Sequence, residues 1–296
     1  MATARELKNK IRSITNTKKI TRTMEMISTA KSRVCQKRIE AVQPYGDKLG
    51  EMLRDLGRGA SDPEKAAEYP LLRVPEKIRK EALIIITANR GLCGGYNTNV
   101  LKMAEKRIDR HSALGTETEI HMIGKKGNAR FKYLKRAVAQ AYTHIDDKPT
   151  YEQAEEILEP LLDRYAAGEL DALAIVVCHY ENGSRQYPVE RPLLPLGAGG
   201  ESESEKAEES TGGTEFILEP DPGTILSRLL PVSLKTRFFQ SLVEAAACEQ
   251  ISRRVAMKNA TDNADEMVKG YKQLYNRTRQ ASITQEILEV IGGSVT

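Results

Sequence analysis

Tryptophan is absent, and aromatic residues fill only 5% of the 296 positions. A chain this long with so few rings has little material for one continuous core. Much of it is therefore expected to be solvent-washed helix. Cysteine is scarce too: Cys35, Cys93, Cys178 and Cys248 lie far apart, and no two form a C-x-x-C pair. That spacing disfavours zinc and a disulfide framework and reads as ordinary thiols of a reducing compartment. No apolar run approaches the ~20 residues of a membrane span, so a soluble protein is expected, reaching any membrane through partners. The net charge of +4 is too mild to imply a partner class, although its distribution is uneven.

What is present begins with helix. Leu7, Ile11, Ile14, Ile20, Met24, Ile27, Val34, Ala41 and Met52 recur mostly at three-, four- and seven-residue steps, with no Gly or Pro from 2 to 43. This basic amphipathic start could mimic a transit peptide, but the pattern runs far past any cleavage point and reads as mature structure. Pro44 should bend the helix without ending it, and Gly57-Arg-Gly59 with the Ser61-Asp-Pro63 turn should stop it. Near the other end, Pro220-Asp-Pro222-Gly223 marks a turn, and Pro231 predicts a kink or restart. Beyond it, Phe239, Leu242, Ala246, Glu249, Arg253, Ala256, Ala260, Ala264, Met267, Tyr271, Leu274, Thr278, Ala281, Gln285 and Leu288 nearly alternate three and four. Such spacing held over about seven heptads marks a left-handed coiled coil, and a helix over 232–291 would be roughly 90 Å long. Two long seamed helices at opposite ends of one chain predict an antiparallel coiled coil. The alternative is two separate amphipathic helices on a common domain.

The centre alternates strand and helix. Strands are predicted at 82–87, 119–123, 142–145 and 172–178, with helices at 98–110, 128–137 and 151–165 between them; 185–196 and 216–218 could add antiparallel strands. The repetition implies a mostly parallel, doubly wound sheet. The expected division is an N-terminal coiled-coil helix (1–58), a central α/β domain (80–220) and a C-terminal coiled-coil helix (223–296). An acidic, low-complexity loop occupies 199–213.

Catalytic signals are thin. Arg90-Gly-Leu-Cys-Gly-Gly95 sits where a nucleotide loop would lie, but lacks both G-x-G-x-x-G and the Gly-Lys-Ser/Thr of a P-loop. Cys93 has no activating His nearby in sequence. His111, His121, His144 and His179 show no metal-ligand spacing; His121 and His144 fall in predicted strands, where packing or rim positions are the default. The stronger signal is charge. Arg5, Lys8, Lys10, Arg12, Lys18, Lys19, Arg22, Lys31, Arg33, Lys37 and Arg38 face only Glu6 and Glu25, which favours an acidic partner. No aromatic is interleaved before Tyr45, which weakens the alternative, a coiled-coil nucleic-acid-binding protein. The apolar end, Ile287-Leu-Glu-Val-Ile-Gly-Gly-Ser-Val-Thr296, needs cover: either a partner around it or a fold-back onto the sheet.

Four stretches resemble one family. Ile14-Thr-Asn-Thr-Lys-Lys-Ile-Thr-Arg-Thr-Met-Glu-Met26, the Arg90–Gly95 motif, Val255-Ala-Met-Lys-Asn-Ala-Thr-Asp-Asn263 and Tyr275-Asn-Arg-Thr-Arg-Gln-Ala-Ser-Ile-Thr-Gln-Glu286 resemble F-type ATP synthase gamma subunits of bacterial type, in order and spacing along the whole chain. The resemblance implies an α/β fold: a long antiparallel coiled coil of the N- and C-terminal helices plus a central Rossmann-like domain. It also implies a non-catalytic rotor shaft inside a ring of alpha and beta subunits. A foot would stand beside the epsilon subunit and the c-ring, and the complex would lie peripherally on the cytoplasmic face of the inner membrane. No cofactor, metal, nucleic acid or direct membrane insertion is implied. By motif match, Arg279 and Gln280 should hydrogen-bond beta-subunit loops, with Thr284 and Glu286 nearby. Met24, Lys18, Lys19 and Arg22 should meet an acidic beta loop, and Phe216 and Leu218 the c-ring. The departures are Asn89, where Asp is common, Pro231, and the lack of a cysteine pair like that of chloroplast gamma subunits.

Overall fold

The computed structural model describes residues 3–59, 69–196 and 222–293. In chain order these form α1 (Ala4–Gly59), β1 (Lys80–Ile86), α2 (Tyr96–Ala113), β2 (Glu117–Ile123), α3 (Lys125–Tyr133), β3 (Gln140–Tyr142), α4 (Tyr151–Ala166), β4 (Ala172–Tyr180), β5 (Gln186–Leu194) and α5 (Pro222–Gly293). The strands lie side by side as β3-β2-β1-β4-β5. The first four are parallel and β5 is an antiparallel edge, with Ile84 level with His121 on one side and Ile175 on the other.

Both sheet faces are buried, which is why β1 and β4 read as unbroken apolar runs. One face carries α2 and α3 through Tyr96, Val100, Ala104 and Phe131. The other carries α4 and part of α5 through Ile157, Leu161, Tyr165, Leu234, Phe238 and Leu242. Helix α4 starts on a reciprocal cap: Thr150 Oγ1 accepts from Gln153 N, and Gln153 Oε1 accepts from Thr150 N.

Helices α1 and α5 pair antiparallel. Lys10 lies over the Tyr271 ring, Lys18 pairs with Asp265, Thr21 meets Thr261, and Gln240 Nε2 donates to Val42 O. The α1 seam runs Leu7, Ile11, Ile14, Lys18, Thr21, Ser28, Ser32, Cys35, Ile39, Val42, Gly46, Leu49 and Leu53, all buried or half-buried. This corrects the expected stripe: Ile20, Ile27, Val34 and Met52 are 48–61% exposed, and Ala41 is exposed too. Small and polar residues sit in the seam because they let the backbones approach; the Thr21 and Thr261 hydroxyls lie 2.8 Å apart. In α5 the seam likewise takes Ala264, Val268, Tyr271, Tyr275 and Thr278, leaving Met267 and Leu274 outside. Lys18 and Asp265 are both about a third exposed or more, so solvent screens their attraction and the pair contributes little stability. It helps to set register more than stability.

Helix α5 also passes through Pro231 without the expected restart. Proline removes one backbone hydrogen bond, but Leu226, Leu230 and Leu234 are buried on either side of it and keep the helix seated. Helices α1 and α4 pass through Pro44 and Pro160 in the same way. Strand β3 ends at Tyr142, three residues before the expected 145, so His144 lies beyond it. Helix α3 begins and ends earlier than predicted. The acidic loop 199–213, the strand at 216–218, and Phe216 and Leu218 lie outside the described residues.

One buried-edge carboxylate ties sheet to helix. Arg164 Nη1 and Nη2 donate to the two oxygens of Glu119 at 2.8 Å, and His121 Nε2 lies 2.9 Å from Oε1. The Arg164 hydrogen bonds, helped by His121, hold the Glu119 carboxyl down at about 2, against an ordinary 4.5. A depressed carboxylate contributes stability that is complete above its unfolded value and lost as pH falls through its folded value. Arg164→Met should therefore lower the thermal midpoint most above pH 4.5, with the gap to wild type narrowing toward about pH 2. Thermal unfolding across that range checks it; a gap that does not change with pH contradicts it.

Candidate partner-contact surface and its anchorage

The contact residues expected from sequence fall in two zones. Among the described residues, pairing ends where the start of α1 lies level with Thr278, and α5 extends past it for about 15 residues, roughly 22 Å. Arg279, Gln280, Thr284 and Glu286 are all exposed on this projection. Thr284 Oγ1 donates back to Gln280 O at 2.9 Å, and Ser282 Oγ donates to Glu286 Oε1 at 3.3 Å. Between them Ile283, Ile287, Leu288, Val290 and Ile291 expose 46–73% of their surface. The fold-back alternative is thus not adopted by the described part of the helix.

The second zone lies lower on the shaft. Lys19 and Arg22 are exposed, whereas Met24 is half-buried against the seam. Lys18 is turned inward: its Nζ lies 2.5 Å from Asp265 Oδ1, and that hydrogen bond holds the Asp265 carboxyl below its usual range. Other members of the basic run are committed likewise. Lys31 pairs with Asp147, and Arg38 Nη2 donates to Pro149 O at 2.8 Å. A run that looked like a uniform basic face is therefore partly neutralised within the chain, which weakens it as a nucleic-acid track.

These inward contacts belong to an anchorage that sequence reasoning missed. Arg253, buried on α5, donates to Gly91 O at 3.3 Å and to Arg90 O at 3.4 Å, while its Nη2 reaches Glu249 Oε1 at 2.6 Å. The loop it grips turns through left-handed backbone at Leu92 and Gly94, and Gly94 faces Ala256 and the Ser252 carbonyl of α5. Asn89 holds the loop's base, donating to Ile145 O at 2.6 Å and accepting from Lys125 N at 3.1 Å. Asp147 is a hub. It receives Lys31 from α1 and Gln250 from α5, while its carbonyl accepts the Cys35 thiol. The signal was visible as Glu249 and Arg253, a charged i, i+4 pair at seam positions, where a buried charge requires a partner.

The same packing occupies the place where a nucleotide loop would hold its ligand. In a doubly wound sheet, ligands bind where strand order reverses, here between β1 and β4. Helix α5 lies across that point: Cys248 Sγ donates to Cys178 O at 3.4 Å, and only about 30 Å³ of cavity remains beside Thr87, Asn89, Tyr96 and Glu249. A nucleotide needs roughly ten times that volume. Burial pushes the Cys93 thiol above its usual range, so it is no ready nucleophile.

A shaft with an apolar tip, rooted by charged clamps in a sheet whose ligand cleft it fills, fits the comparison with known proteins. A family model described as ATP synthase matches residues 3–295. The ATP synthase gamma chain of Leptospira biflexa is 44% identical over 294 residues, covering 99% of each chain. The chain belongs to the ATP synthase gamma family. The gamma chain of Gemmatimonas aurantiaca is 43% identical over 296 residues, covering 99% of this chain and 98% of its own. Two solved structures share the fold. A chain of the Euglena gracilis mitochondrial ATP synthase, OSCP/F1/c-ring in rotational state 3, has TM-score 0.64 and 19% identity, covering 99% of this chain and 93% of that one. A chain of the Tetrahymena thermophila mitochondrial ATP synthase central stalk/c-ring has TM-score 0.61 and 17% identity, covering 81% and 99%. Family membership makes this a non-catalytic central-stalk chain of a membrane-associated ATP synthase. Among the described residues no helix is long and apolar enough to cross a membrane.

Arg253→Met should loosen the anchorage. It leaves Glu249, whose carboxyl burial already pushes up, without its cation; breaking a buried pair in this way costs about 3–5 kcal/mol. Amide hydrogen exchange should quicken in 88–97 and 245–256 while the 7–21 stretch of the coil keeps its protection. Unchanged exchange in both segments contradicts the anchoring role.

Proposed function

We propose that this chain is the turning shaft of an F-type ATP synthase. Its upper coil and tip would sit inside a ring of alternating alpha and beta subunits, and its sheet domain would form a foot against the epsilon subunit and the c-ring. The observation that carries the reading is the solitary apolar, polar-studded tip at the end of a helix clamped to a folded base. Exposed apolar surface of that kind calls for a surrounding partner, and the clamp gives applied torque a path from base to tip. The gamma-chain relatives and the rotor chains of similar fold support it.

In this reading proton flow turns the foot. The asymmetric shaft then makes different contacts with each beta subunit at each angle. A contact that differs between conformations shifts their balance by its differential free energy, so rotation drives the catalytic sites through their states in turn. Arg279 and Gln280, with Thr284 and Glu286 beside them, hydrogen-bond beta-subunit loops. Lys19 and Arg22, with Lys18 and Met24, meet an acidic beta loop, Lys18 contributing once it is released from Asp265. Phe216 and Leu218 meet the c-ring. The complex lies on the cytoplasmic face of a bacterial inner membrane.

The test is assembly with matched alpha and beta subunits, followed by Mg-ATP hydrolysis. One copy per ring, required for activity, is expected; failure to enter an assembled ring contradicts the reading. Arg279→Ala with Gln280→Ala removes contacts worth about 0.5–1.5 kcal/mol each, about 1–3 kcal/mol together, so turnover should fall roughly five- to 150-fold with assembly intact. Undiminished turnover overturns the tip assignment. Lys19→Glu with Arg22→Glu should impair ATP-driven proton pumping more than assembly. Normal pumping counts against the lower zone.

A further inference from the structure

The contacts among three side chains where β4, β5 and α5 meet cannot all be hydrogen bonds at once. His179 Nδ1 lies 2.6 Å from Arg191 Nη2 and 2.9 Å from Glu244 Oε2. An imidazole nitrogen either carries a proton and donates or presents a lone pair and accepts. With the proton on Nε2 alone, Nδ1 accepts from Arg191, and the guanidinium bridges to Glu244 Oε2 at 2.9 Å. When the ring takes a second proton, Nδ1–H donates to Glu244 and Arg191 Nη2 faces a donor. The arginine keeps its bonds through Nη1 to Ser241 Oγ at 3.1 Å and Glu244 Oε1 at 3.3 Å, but its position beside the ring becomes repulsive.

There is room for it to move. A cavity of about 210 Å³ opens beside the cluster, lined by His179, Arg191, Glu244 and Arg237, and on the α1 side by Asp47. Asp47 is exposed, and no ion pair to it forms among the described residues. The groups facing His179 are therefore Glu244 and Arg237 from α5, Arg191 and Tyr187 from β5, Tyr180 from β4, and Asp47 from α1. Tyr187 packs edge-on to the imidazole at 5.4 Å between centroids. We propose that His179 is a proton-gated latch: neutral, it holds Arg191 in the clamp between sheet and α5, and protonated, it hands the guanidinium across the cavity to Asp47 of α1. With both partners in place, Glu244 faces two opposing influences. Burial works to raise its carboxyl, but the hydrogen bonds and charges of His179 and Arg191 outweigh that and hold it below its usual range.

The consequence rests on the rotor reading: acidification would shift the β5 attachment from one shaft helix to the other, making the joint between foot and shaft sensitive to pH. The latch itself does not depend on that reading, and its test needs only the full chain. Long-range nitrogen–proton NMR on chain labelled with ¹⁵N-histidine and ¹⁵N-arginine, from about pH 8 to about pH 5, follows both groups; His179→Gln assigns the ring signal. The expected result is an unprotonated Nδ1 at the alkaline end, a protonated one at the acid end, and an Arg191 side-chain shift with the same midpoint. His179→Gln should abolish the Arg191 shift. Asp47→Asn should leave the His179 titration in place while the low-pH Arg191 signal is lost to solvent exchange. An Nδ1 protonated throughout, or an Arg191 signal that ignores His179, overturns the latch. An Arg191 low-pH signal unchanged in Asp47→Asn overturns the hand-over.

Discussion

Helix α5 has to satisfy two neighbours with one surface. Along its middle it packs against the sheet through Leu234, Phe238 and Leu242, and against α1 through Val243, Ala246 and Ala247, which meet Cys35 and Ile39. It is therefore buried on nearly every side, and the long polar chains enclosed there, Lys235, Gln250 and Arg253, are each held by a partner, Glu155, Asp147 and Glu249 respectively. Everything else follows from this double engagement. The sheet's ligand cleft is closed, the Arg90–Gly95 loop is pinned, and the free end of α5 extends past α1 with its orientation set from below.

Charges mark the places where the two engagements meet. Arg253 and Glu249 join α5 to the loop after β1; Asp147 joins both helices to the stretch before α4. Lys235 reaches Glu155 and Glu159 on α4. Exposed ion pairs contribute little energy, but Arg253 is 7% exposed, and a buried pair is costly to break. Such contacts resist relative movement of two packed bodies in a way that apolar contacts, which slide, do not. The coil above them is the opposite case. Thr21, Ser28 and Thr261 in its seam bring the helices close while burying little apolar area, so the upper shaft depends on the base for its position.

Long periodic patterns were legible in the sequence, and local choices among near-equivalent positions were not. The two terminal helices and the alternating centre followed from spacing alone. The face of α1 did not, because Ile20, Ile27 and Val34 keep a heptad of their own one position away from Thr21, Ser28 and Cys35. Hydropathy favours the wrong stripe there; only the close approach of α5 selects the small residues. Pro231 was over-read for a related reason, since the burial of Leu226, Leu230 and Leu234 depends on partners distant in sequence. Of the candidate contact residues, those on the tip lie as expected on exposed helix. Lys18 does not, because its partner Asp265 is 247 residues away and no local pattern reveals it.

In the proposed rotor, foot and shaft turn as one body. The most direct measurement places a bead on the foot, through Ser112→Cys on the exposed end of α2, with the alpha–beta ring fixed to a surface. On addition of Mg-ATP the bead should rotate in one direction, in discrete steps, for as long as ATP is hydrolysed. A ring that hydrolyses ATP at full rate while the foot stays still would contradict the account.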